Sequence, residues 1–423
     1  MKISKIEKKK IGIFGFGVEG RATLNYFRKH HINNIVVFDE REIDSKVDFE
    51  KRIGKFENLK VDDLEVAFRA PGIKRSRLKK ILPENVCITS ATNLFFAECK
   101  GKVLAVTGTK GKSTTVQLLS YMLKAANKEV FSGGNIGAPL LGFVDQTSND
   151  SICVIELSSF QLQDLDGAPD LAVILPIFPD HLDYHEDEQE YLEAKSSIVK
   201  LMTKKDVVFC AKQELARKIV APTRARIFYF AQGDSAEVTA AAKKFKIPEI
   251  NLAATAAIGE YLKLKVNIEK IAQNFQRLPF RIQFLQRGEG VEFYNDSAST
   301  NPISAITAME TMSVPYFLIA GGSSKNLKFD LMAQAAKQDK NLQAVYLIGE
   351  TAGEIEAELV RADFQKPVYS LGDLDHVLRE IKKNLRQVKA VLFSPASASF
   401  DQFKNYKDRG KAFNHLVKKL FKS

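Results

Sequence analysis

The sequence predicts an α/β protein of three domains. Its 423 residues are too many for one ordinary hydrophobic core. Three successive segments each alternate short apolar β-type runs with helical stretches, which is the pattern of mostly parallel sheets. We place the three domains at residues 1–97, 98–278 and 279–423.

Composition indicates a globular chain and argues against a membrane span and against a nucleic-acid partner. The chain is 45% apolar and 27% charged, and it has no apolar run of about 18 residues, so no membrane span is predicted. A net charge of +11 can indicate nucleic-acid binding, but the lysines are spread along the chain and also suit anionic nucleotides, so no nucleic-acid partner is predicted. Four cysteines without CxxC spacing predict reduced thiols in a cytosolic protein: Cys87, Cys99, Cys153 and Cys210.

A glycine-rich turn marks the first domain. A β run at residues 11–14 leads into Gly15, Gly17 and Gly20, a GxGxxG pattern, and a second strand ends at Asp39. This order presents free N–H groups and the positive end of a helix dipole to a phosphate. The pattern predicts a Rossmann-like domain that has an NAD site, another nucleotide-diphosphate site, or no ligand at this turn.

A second glycine-rich loop, TGTKGKSTT, lies between an apolar strand and a helical run. The standard phosphate loop, G-x-x-x-x-G-K-[ST], requires a glycine where this chain has Val106, and the nearest glycine is Gly108. Strand, loop and helix are still in the order of a phosphate loop. Backbone N–H groups of residues 109–113 would surround a phosphate, Lys112 would neutralise it, and the Ser113 hydroxyl would bind Mg²⁺. We therefore expect a P-loop-type ATPase domain with a mostly parallel sheet.

Two further residues are candidates for a magnesium–phosphate site. Glu156 ends an apolar strand, where the acid of such a site belongs, although a carboxylate there can also simply face solvent. His181 follows another apolar strand and is a candidate metal ligand, general base or structural residue.

Lys195 falls within an apolar helical stripe, where a charged ammonium needs a partner or a change of charge. Carbamylation by CO₂ would convert it into an oxygen donor for Mg²⁺; the alternative is a lysine that reaches past the apolar face to solvent. The stripe consists of Tyr191, Leu192, Ile198, Val199 and Met202.

The last domain repeats the α/β alternation. Its apolar runs lie at residues 291–295, 316–322, 344–349 and 390–396, and a final helix is predicted at about residues 401–420. These runs predict a second Rossmann-like domain.

Taken together, these segments resemble the Mur ligases, ATP-dependent enzymes that add amino acids in peptidoglycan synthesis. The shortened loop GTKGKST is similar to the loop of that family, in which Gly108 occupies the opening position. Further matching motifs occur in the family's order over nearly the whole chain. They are APGI (70–73), GGNIG (133–137), ELSSFQL (156–162), DHLD (180–183), YLEAK (191–195), NDSASTNP (295–302), GGSSK (321–325) and SPASASFDQFKNYKDRG (394–410).

The resemblance implies a cytoplasmic, monomeric enzyme without a membrane span. It would join D-glutamate to UDP-N-acetylmuramoyl-L-alanine through an acyl phosphate, with ATP and two Mg²⁺ ions. It implies UDP-substrate contacts at Val18, Glu19, Asp39, Glu40, Gly72 and Asn135. It implies ATP contacts at Gly108, Thr109, Lys110, Gly111, Lys112, Ser113, Thr114, Asn251, Arg281 and Asp296. The implied metal ligands are Ser113, Glu156, His181 and carbamylated Lys195, and the catalytic residues are Lys112, Glu156, His181 and Lys195. The implied amino-acid contacts are Thr300, Lys325, Ser399 and Tyr406.

Three positions depart from the family pattern. Phe280 replaces a histidine, Ala254 an asparagine, and Ala298 a lysine that faces the amino-acid carboxylate. Because of Ala298, another amino acid such as L-glutamate is an alternative to D-glutamate. An NAD-dependent oxidoreductase would leave the second and third domains unexplained. A folylpolyglutamate synthase would lack the roughly 100 residues that precede the loop.

Overall fold

The computed structural model describes residues 2–43, 49–135, 137–178, 184–265, 267–276, 279–324 and 327–422. The chain forms two compact units. One combines Met1–Asp234 with Ala253–Asn267, and the other combines Ser235–Leu252 with Ile268–Ser423. The described residues form three mostly parallel sheets with intervening helices, which confirms the predicted α/β class.

The first sheet is five-stranded and parallel. Its strands are β1 Ile11–Phe14, β2 Ile35–Asp39, β3 Glu50–Ile53, β4 Val66–Arg69 and β5 Cys87–Thr89. The helices are α1 Val18–Lys29, α2 Arg75–Ile81 and α3 Ala91–Glu98, with 3₁₀ turns at Ile3–Lys5 and Phe56–Asn58. The strand order is β3-β2-β1-β4-β5, so the carboxyl ends of β1, β2 and β4 are neighbours. Phe14 and Phe38 stack at 4.3 Å within its core.

The second sheet is six-stranded and parallel. Its strands are β6 Lys102–Thr107, β7 Val130–Gly134, β8 Ile152–Glu156, β9 Leu171–Ile174, β10 Val207–Ala211 and β11 Arg226–Phe230. The following helices are α4 Lys112–Ala125, α5 Ser159–Leu162, α6 Glu188–Lys200 and α7 Glu214–Val220, with 3₁₀ turns at Leu140–Gly142 and Val144–Gln146. The order β11-β10-β9-β6-β8-β7 places β6 between β8 and β9. The strands that follow β6 in sequence are added first on one side of it and then on the other. Ligands bind at such switch points in parallel α/β sheets.

Three helices, α8 Ala236–Phe245, α9 Glu249–Tyr261 and α10 Ile268–Gln273, precede the third sheet. Its strands are β12 Gln283–Gly288, β13 Val291–Asn295, β14 Tyr316–Gly321, β15 Leu342–Ile348, β16 Val368–Gly372 and β17 Ala390–Phe393. Its helices are α11 Pro302–Met309, α12 Asp330–Gln338, α13 Ala352–Arg361, α14 Leu374–Asn384 and α15 Tyr406–Leu420, with a 3₁₀ turn at Leu385–Gln387. The order is β12-β13-β17-β14-β15-β16, and only the β12–β13 pair is antiparallel among the described strands.

The last helix begins later than the predicted residue 401. The Asn405 side chain accepts hydrogen bonds from the N–H groups of Lys407 and Asp408, and this cap starts α15 at Tyr406. The four cysteines are free, as predicted. Among the described residues, no helix combines the length and apolar character that crossing a bilayer requires.

Candidate active site

The TGTKGKSTT loop connects the central strand β6 to helix α4. Gly108 has φ 155° and Gly111 has φ 81°, values that residues with a Cβ rarely adopt. A Cβ on Gly108 would lie 2.6 Å from the Cβ of Leu175, so the loop needs a glycine there for space as well. Lys110 and Thr114 complete the loop and the first turn of α4. The loop therefore leads into a helix N-terminus, the feature that binds phosphate.

Val106 occupies the position where the standard phosphate loop has its first glycine. This residue is fully buried in β6 and pairs with Glu156 of β8 and Val173 of β9. The strand continues one residue further, to Thr107. An apolar strand residue is required at 106 because the loop starts only after the ladder ends. The missing glycine thus marks a shorter loop rather than a failed motif.

Lys112 is the first residue of α4, and its ammonium lies against the loop. Its Nζ donates hydrogen bonds to the carbonyl oxygens of Gly108 and Thr109, both at 2.9 Å. These bonds hold the positive charge beside the N–H groups at the start of the helix. A phosphate at this helix end would meet the lysine charge and the helix dipole together.

Ser113 and Glu156 meet at the carboxyl end of the sheet. The Ser113 hydroxyl donates a 2.6 Å hydrogen bond to Oε2 of Glu156, and the Asn135 amide donates a 3.0 Å bond to Oε1. Ser113 and Glu156 are 6% and 2% exposed. A hydroxyl and a carboxylate in contact next to a phosphate loop are the hard oxygen donors that Mg²⁺ prefers, so these residues fit the ion. The alternative of a solvent-facing Glu156 is wrong.

Lys195 lies in the buried face of α6, as the apolar stripe predicts. The residue is 2% exposed, and its Nζ donates to the Gly108 carbonyl oxygen at 3.1 Å. The same Nζ is 4.8 Å from the centre of the Tyr191 ring. The lysine therefore turns toward the phosphate loop rather than out to solvent, and the alternative of a side chain reaching past the apolar face is wrong.

Tyr191 and His185 belong to the site's surroundings, although the sequence predicts no site role for them. The Tyr191 hydroxyl is 2.7 Å from Oγ1 of Thr109, so α6 is hydrogen-bonded to the phosphate loop. His185 is buried, and its Nε2 lies 3.0 Å from the Ser159 hydroxyl. Both residues lie between His181 and Lys195 in sequence. Their position between two candidate site residues is the sequence feature that could have indicated a role. His181 itself lies outside the described residues.

The described residues contain no group of three or more His, Cys, Asp or Glu side chains that could hold a metal ion. The predicted metal ligands are of a different kind, because they include a hydroxyl and a modified lysine besides Glu156. Ser113, Glu156 and Lys195 all border the same loop, whereas the place of His181 stays a prediction.

The GxGxxG turn has the shape expected of an anion-binding loop in the first sheet. Gly15 has φ 89°, and a Cβ on Gly20 would lie 2.1 Å from the Gly15 carbonyl oxygen. The Asp39 carboxylate accepts hydrogen bonds from the N–H groups of Phe16 at 2.7 Å and Arg41 at 3.0 Å. Asp39 thus fixes the turn from the neighbouring strand, which is a structural role beside the predicted contact with substrate.

The other predicted UDP-substrate residues lie around the carboxyl ends of β1, β2 and β4. Val18 is 73% exposed at the start of α1, and Gly72 is exposed in the loop after β4. Glu40 forms a 2.6 Å ion pair with Arg77. Burial raises the pKa of Glu19 to about 7, against the opposing effects of the Arg69 charge and a hydrogen bond from Gln161. Asn135 instead lies beside Glu156, to which its amide donates a hydrogen bond.

The remaining predicted ATP residues lie in the second unit. Asp296 follows β13, and its carboxylate accepts hydrogen bonds from the Ile282 N–H at 3.1 Å and the Ser394 hydroxyl at 2.7 Å. Asn251 is fully buried in α9, and Arg281 is half-buried beside β12. The structure describes these residues within their own unit, and their contact with a nucleotide stays a prediction.

Arg409 organises the segments that carry the predicted amino-acid residues, although no local sequence pattern predicts this role. Its guanidinium is fully buried and donates to the Ser297 hydroxyl and to the carbonyl oxygens of Ser297, Ser397 and Ala398, at 2.7–3.1 Å. These bonds join the NDSASTNP and SPASAS segments. Burial lowers the pKa of Arg409 to about 10, so the group keeps its charge at neutral pH. These two segments carry Thr300 and Ser399, and the Tyr406 carbonyl oxygen accepts a 2.8 Å hydrogen bond from the Ser297 hydroxyl. Lys325 lies outside the described residues.

The three departures from the family pattern have local structural accounts. Phe280 adopts φ 65°, and its ring lies where a Cβ on Gly410 would collide. The Ala298 N–H donates to the Phe280 carbonyl oxygen at 3.0 Å, so the two departures are in contact. Ala254 is fully buried within α9, where a small apolar side chain packs readily.

Comparisons with known proteins find relatives of this chain. Residues 106–269 match the model of the Mur ligase middle domain. A UDP-N-acetylmuramoylalanine–D-glutamate ligase from Symbiobacterium thermophilum is 31% identical over 85% of each chain. Another from Acetivibrio thermocellus is 29% identical over 98% of this chain and 97% of its own.

Solved structures share the fold. A UDP-N-acetylmuramate–alanine ligase from Thermotoga maritima has a TM-score of 0.57 and 16% identity, with 97% of this chain and 99% of that chain covered. A MurF ligase from the same organism in complex with ADP has a TM-score of 0.56 and 17% identity, with 98% and 96% covered. The loop and the sequence relatives together define a phosphate-loop ligase. The chain belongs to the Mur ligase family, which confirms the resemblance read from its motifs.

Proposed function

We propose that this protein adds D-glutamate to UDP-N-acetylmuramoyl-L-alanine at the expense of ATP, in the cytoplasmic part of peptidoglycan synthesis. The proposed domain roles follow the predicted boundaries: residues 1–97 bind the UDP substrate, 98–278 bind ATP, and 279–423 bind the amino acid. The observation that carries the proposal is the contact between Ser113 and Glu156 beside the loop that holds Lys112. The names of the sequence relatives support the choice of substrates.

The chemistry requires activation, because a carboxylate is a poor electrophile and amide formation in water is uphill. In the proposed reaction, an oxygen of the L-alanyl carboxylate attacks the γ-phosphorus of ATP, and the bond to ADP breaks. The amine of D-glutamate then attacks the acyl carbon and loses a proton, and phosphate leaves. The products are the amide, ADP and phosphate.

The chain's own residues supply charge and position for these steps. Lys112 lies at the start of α4, where it would neutralise the negative charge that develops on the transferring phosphoryl group. Asn135 is fixed by its hydrogen bond to Glu156 and would orient the reacting end of the UDP substrate. His181 is proposed to orient the amine or accept its proton.

Mg²⁺ would be held by Ser113 and Glu156 at one position, and by His181 and carbamylated Lys195 at a second. When bound, the ions supply charge stabilisation for phosphoryl transfer. Carbamylation forms an N–C bond between the neutral Lys195 amine and CO₂, with release of one proton. The buried position of Lys195 beside the Gly108 carbonyl oxygen supports this role, because a carbamate there would face the phosphate loop.

Because of Ala298, the identity of the added amino acid has to be measured directly. A family lysine that would face the amino-acid carboxylate is replaced here, so Lys325 or another basic group would supply the charge. The names of the relatives favour D-glutamate over L-glutamate. We expect the side chain at position 298 to change affinity for the amino acid more than the rate of phosphoryl transfer.

The test is a phosphate-release assay with purified protein, ATP, Mg²⁺ and UDP-N-acetylmuramoyl-L-alanine. D-glutamate, L-glutamate and other amino acids are added singly, and the products are identified by mass spectrometry. We expect release and an amide product with D-glutamate. Release with L-glutamate alone would correct the amino acid, and no release with any amino acid would refute the proposed function. NADH fluorescence with the same protein is the control for the oxidoreductase alternative, and no binding is expected.

A further inference from the structure

Arg69 is a fully buried arginine at the carboxyl end of β4, next to the predicted uridine-binding loop. It is 2% exposed, and its Nε pairs with the carboxylate of Asp164, whose side chain is 1% exposed. Asp164 also pairs with Nε of Arg75 at 2.8 Å. A charged group so far from water persists only when its hydrogen bonds are made within the protein.

The guanidinium of Arg69 joins three separate segments. Nη1 donates to the carbonyl oxygen of Ile73 at 2.6 Å and to the Tyr184 hydroxyl at 2.9 Å. Nη2 donates to the carbonyl oxygen of Phe160 at 2.7 Å. One side chain therefore connects the loop after β4, the α5 region and the residue that follows the DHLD motif.

Tyr184 reinforces the same connection. Its hydroxyl lies 3.1 Å and 2.9 Å from the carbonyl oxygens of Pro71 and Ile73, and its ring is 4.2 Å from that of Phe160. The loop at residues 70–73 is thus held by both a charged donor and a hydroxyl. Charge-assisted hydrogen bonds in a buried network are strong and geometrically specific.

The joined segments are those that the proposed function assigns to different ligands. Gly72 lies in the loop predicted to contact uridine, Phe160 lies in the ELSSFQL segment after Glu156, and Tyr184 follows the segment containing His181. We propose that Arg69 is a positioning residue that holds the UDP-substrate loop in register with the phosphoryl-transfer site. The inference rests on the proposed function, since it concerns how the two ligands are aligned.

The test compares steady-state kinetics of the wild type, Arg69→Lys and Tyr184→Phe. Tyr184→Phe keeps the ring packing and removes only the hydroxyl, so it remains informative where the arginine variant does not fold. We expect kcat/KM for the UDP substrate to fall about tenfold in Tyr184→Phe and further in Arg69→Lys. The KM for the amino acid should stay within about twofold, because none of the predicted amino-acid contacts belongs to the segments that Arg69 joins.

Two matched controls separate positioning from general destabilisation. Arg52→Met removes an arginine of the same sheet that pairs with Asp63 at 2.9 Å, and Tyr261→Phe removes a hydroxyl that lies 3.1 Å from Nη2 of Arg226. Neither should change kcat/KM for the UDP substrate. If the wild type is active and the kinetics of Tyr184→Phe are unchanged, the positioning role of Arg69 is refuted while the proposed function stands. An inactive wild type would refute the proposed function, and the positioning role with it.

Discussion

The hydroxyl of Ser113 donates a 2.6 Å hydrogen bond to the carboxylate of Glu156. The bond joins the first turn of α4 to the end of β8, through two residues that are 43 positions apart in sequence. It forms because Val106 and Glu156 are register partners in adjacent parallel strands. The phosphate loop after β6 and the acid at the end of β8 must then lie side by side at one edge of the sheet.

Replacing Glu156 by glutamine should weaken Mg²⁺ binding. Gln keeps the size and one oxygen but removes the negative charge, and we expect apparent Mg²⁺ affinity to fall about 10- to 100-fold. The measurement is the Mg²⁺ dependence of phosphate release. Thermal unfolding of the variant without metal should be little changed. An unaltered Mg²⁺ dependence would contradict the assignment of Glu156 as a ligand.

Replacing Lys112 by alanine should abolish activity. The lysine charge at the start of α4 is expected to stabilise the transferring phosphoryl group, and its loss should lower kcat by about 1,000-fold. Lys124→Ala, at the exposed end of the same helix, is the matched control and should turn over normally. Turnover of Lys112→Ala near the wild-type rate would remove the basis for the phosphate-loop assignment.

Replacing Lys195 by alanine should give an inactive protein whose activity is partly restored by a short carboxylic acid. The acid would occupy the space of the buried side chain and supply the oxygen donors of the carbamate. Activity is measured over a range of acetate concentrations at fixed ionic strength, with chloride as the control salt. Full activity without added acid would show that the lysine is purely structural.

Glu19 should make stability depend on pH. Its pKa is about 7 in the folded protein and 4.5 as the ordinary value, so the folded state holds a proton that the unfolded state releases between these pH values. The contribution of Glu19 to the free energy of unfolding is therefore greatest at low pH, and it falls as pH rises from about 4.5 to about 7. Urea unfolding at pH 5 and pH 8 should show a smaller decline in Glu19→Gln than in the wild type. Equal declines would mean that Glu19 titrates normally.

Much of the central site could be predicted from the sequence because its signals are local. The order of strand, glycine loop and helix places Lys112 and Ser113, and the apolar spacing of α6 places Lys195 on a buried face. Val106 departs from the usual phosphate-loop motif for a structural reason. The residue belongs to the strand, and its partner there is the acid of the site.

Other features depend on contacts between distant segments and left little signal in the sequence. Arg69 and Arg409 look like ordinary surface residues in sequence, yet each is fully buried and holds several segments together. The start of α15 was predicted too early because the Asn405 cap decides it. Nothing in local spacing shows which carbonyl groups a buried guanidinium will reach.

The most direct test of the proposed chemistry follows an oxygen atom. UDP-N-acetylmuramoyl-L-alanine is prepared with ¹⁸O in the alanyl carboxylate and converted with ATP and D-glutamate, and the released phosphate is analysed by mass spectrometry. If the carboxylate attacks ATP to form an acyl phosphate, one labelled oxygen passes to the phosphate in each turnover. Phosphate without the label, formed alongside the amide, would contradict the account.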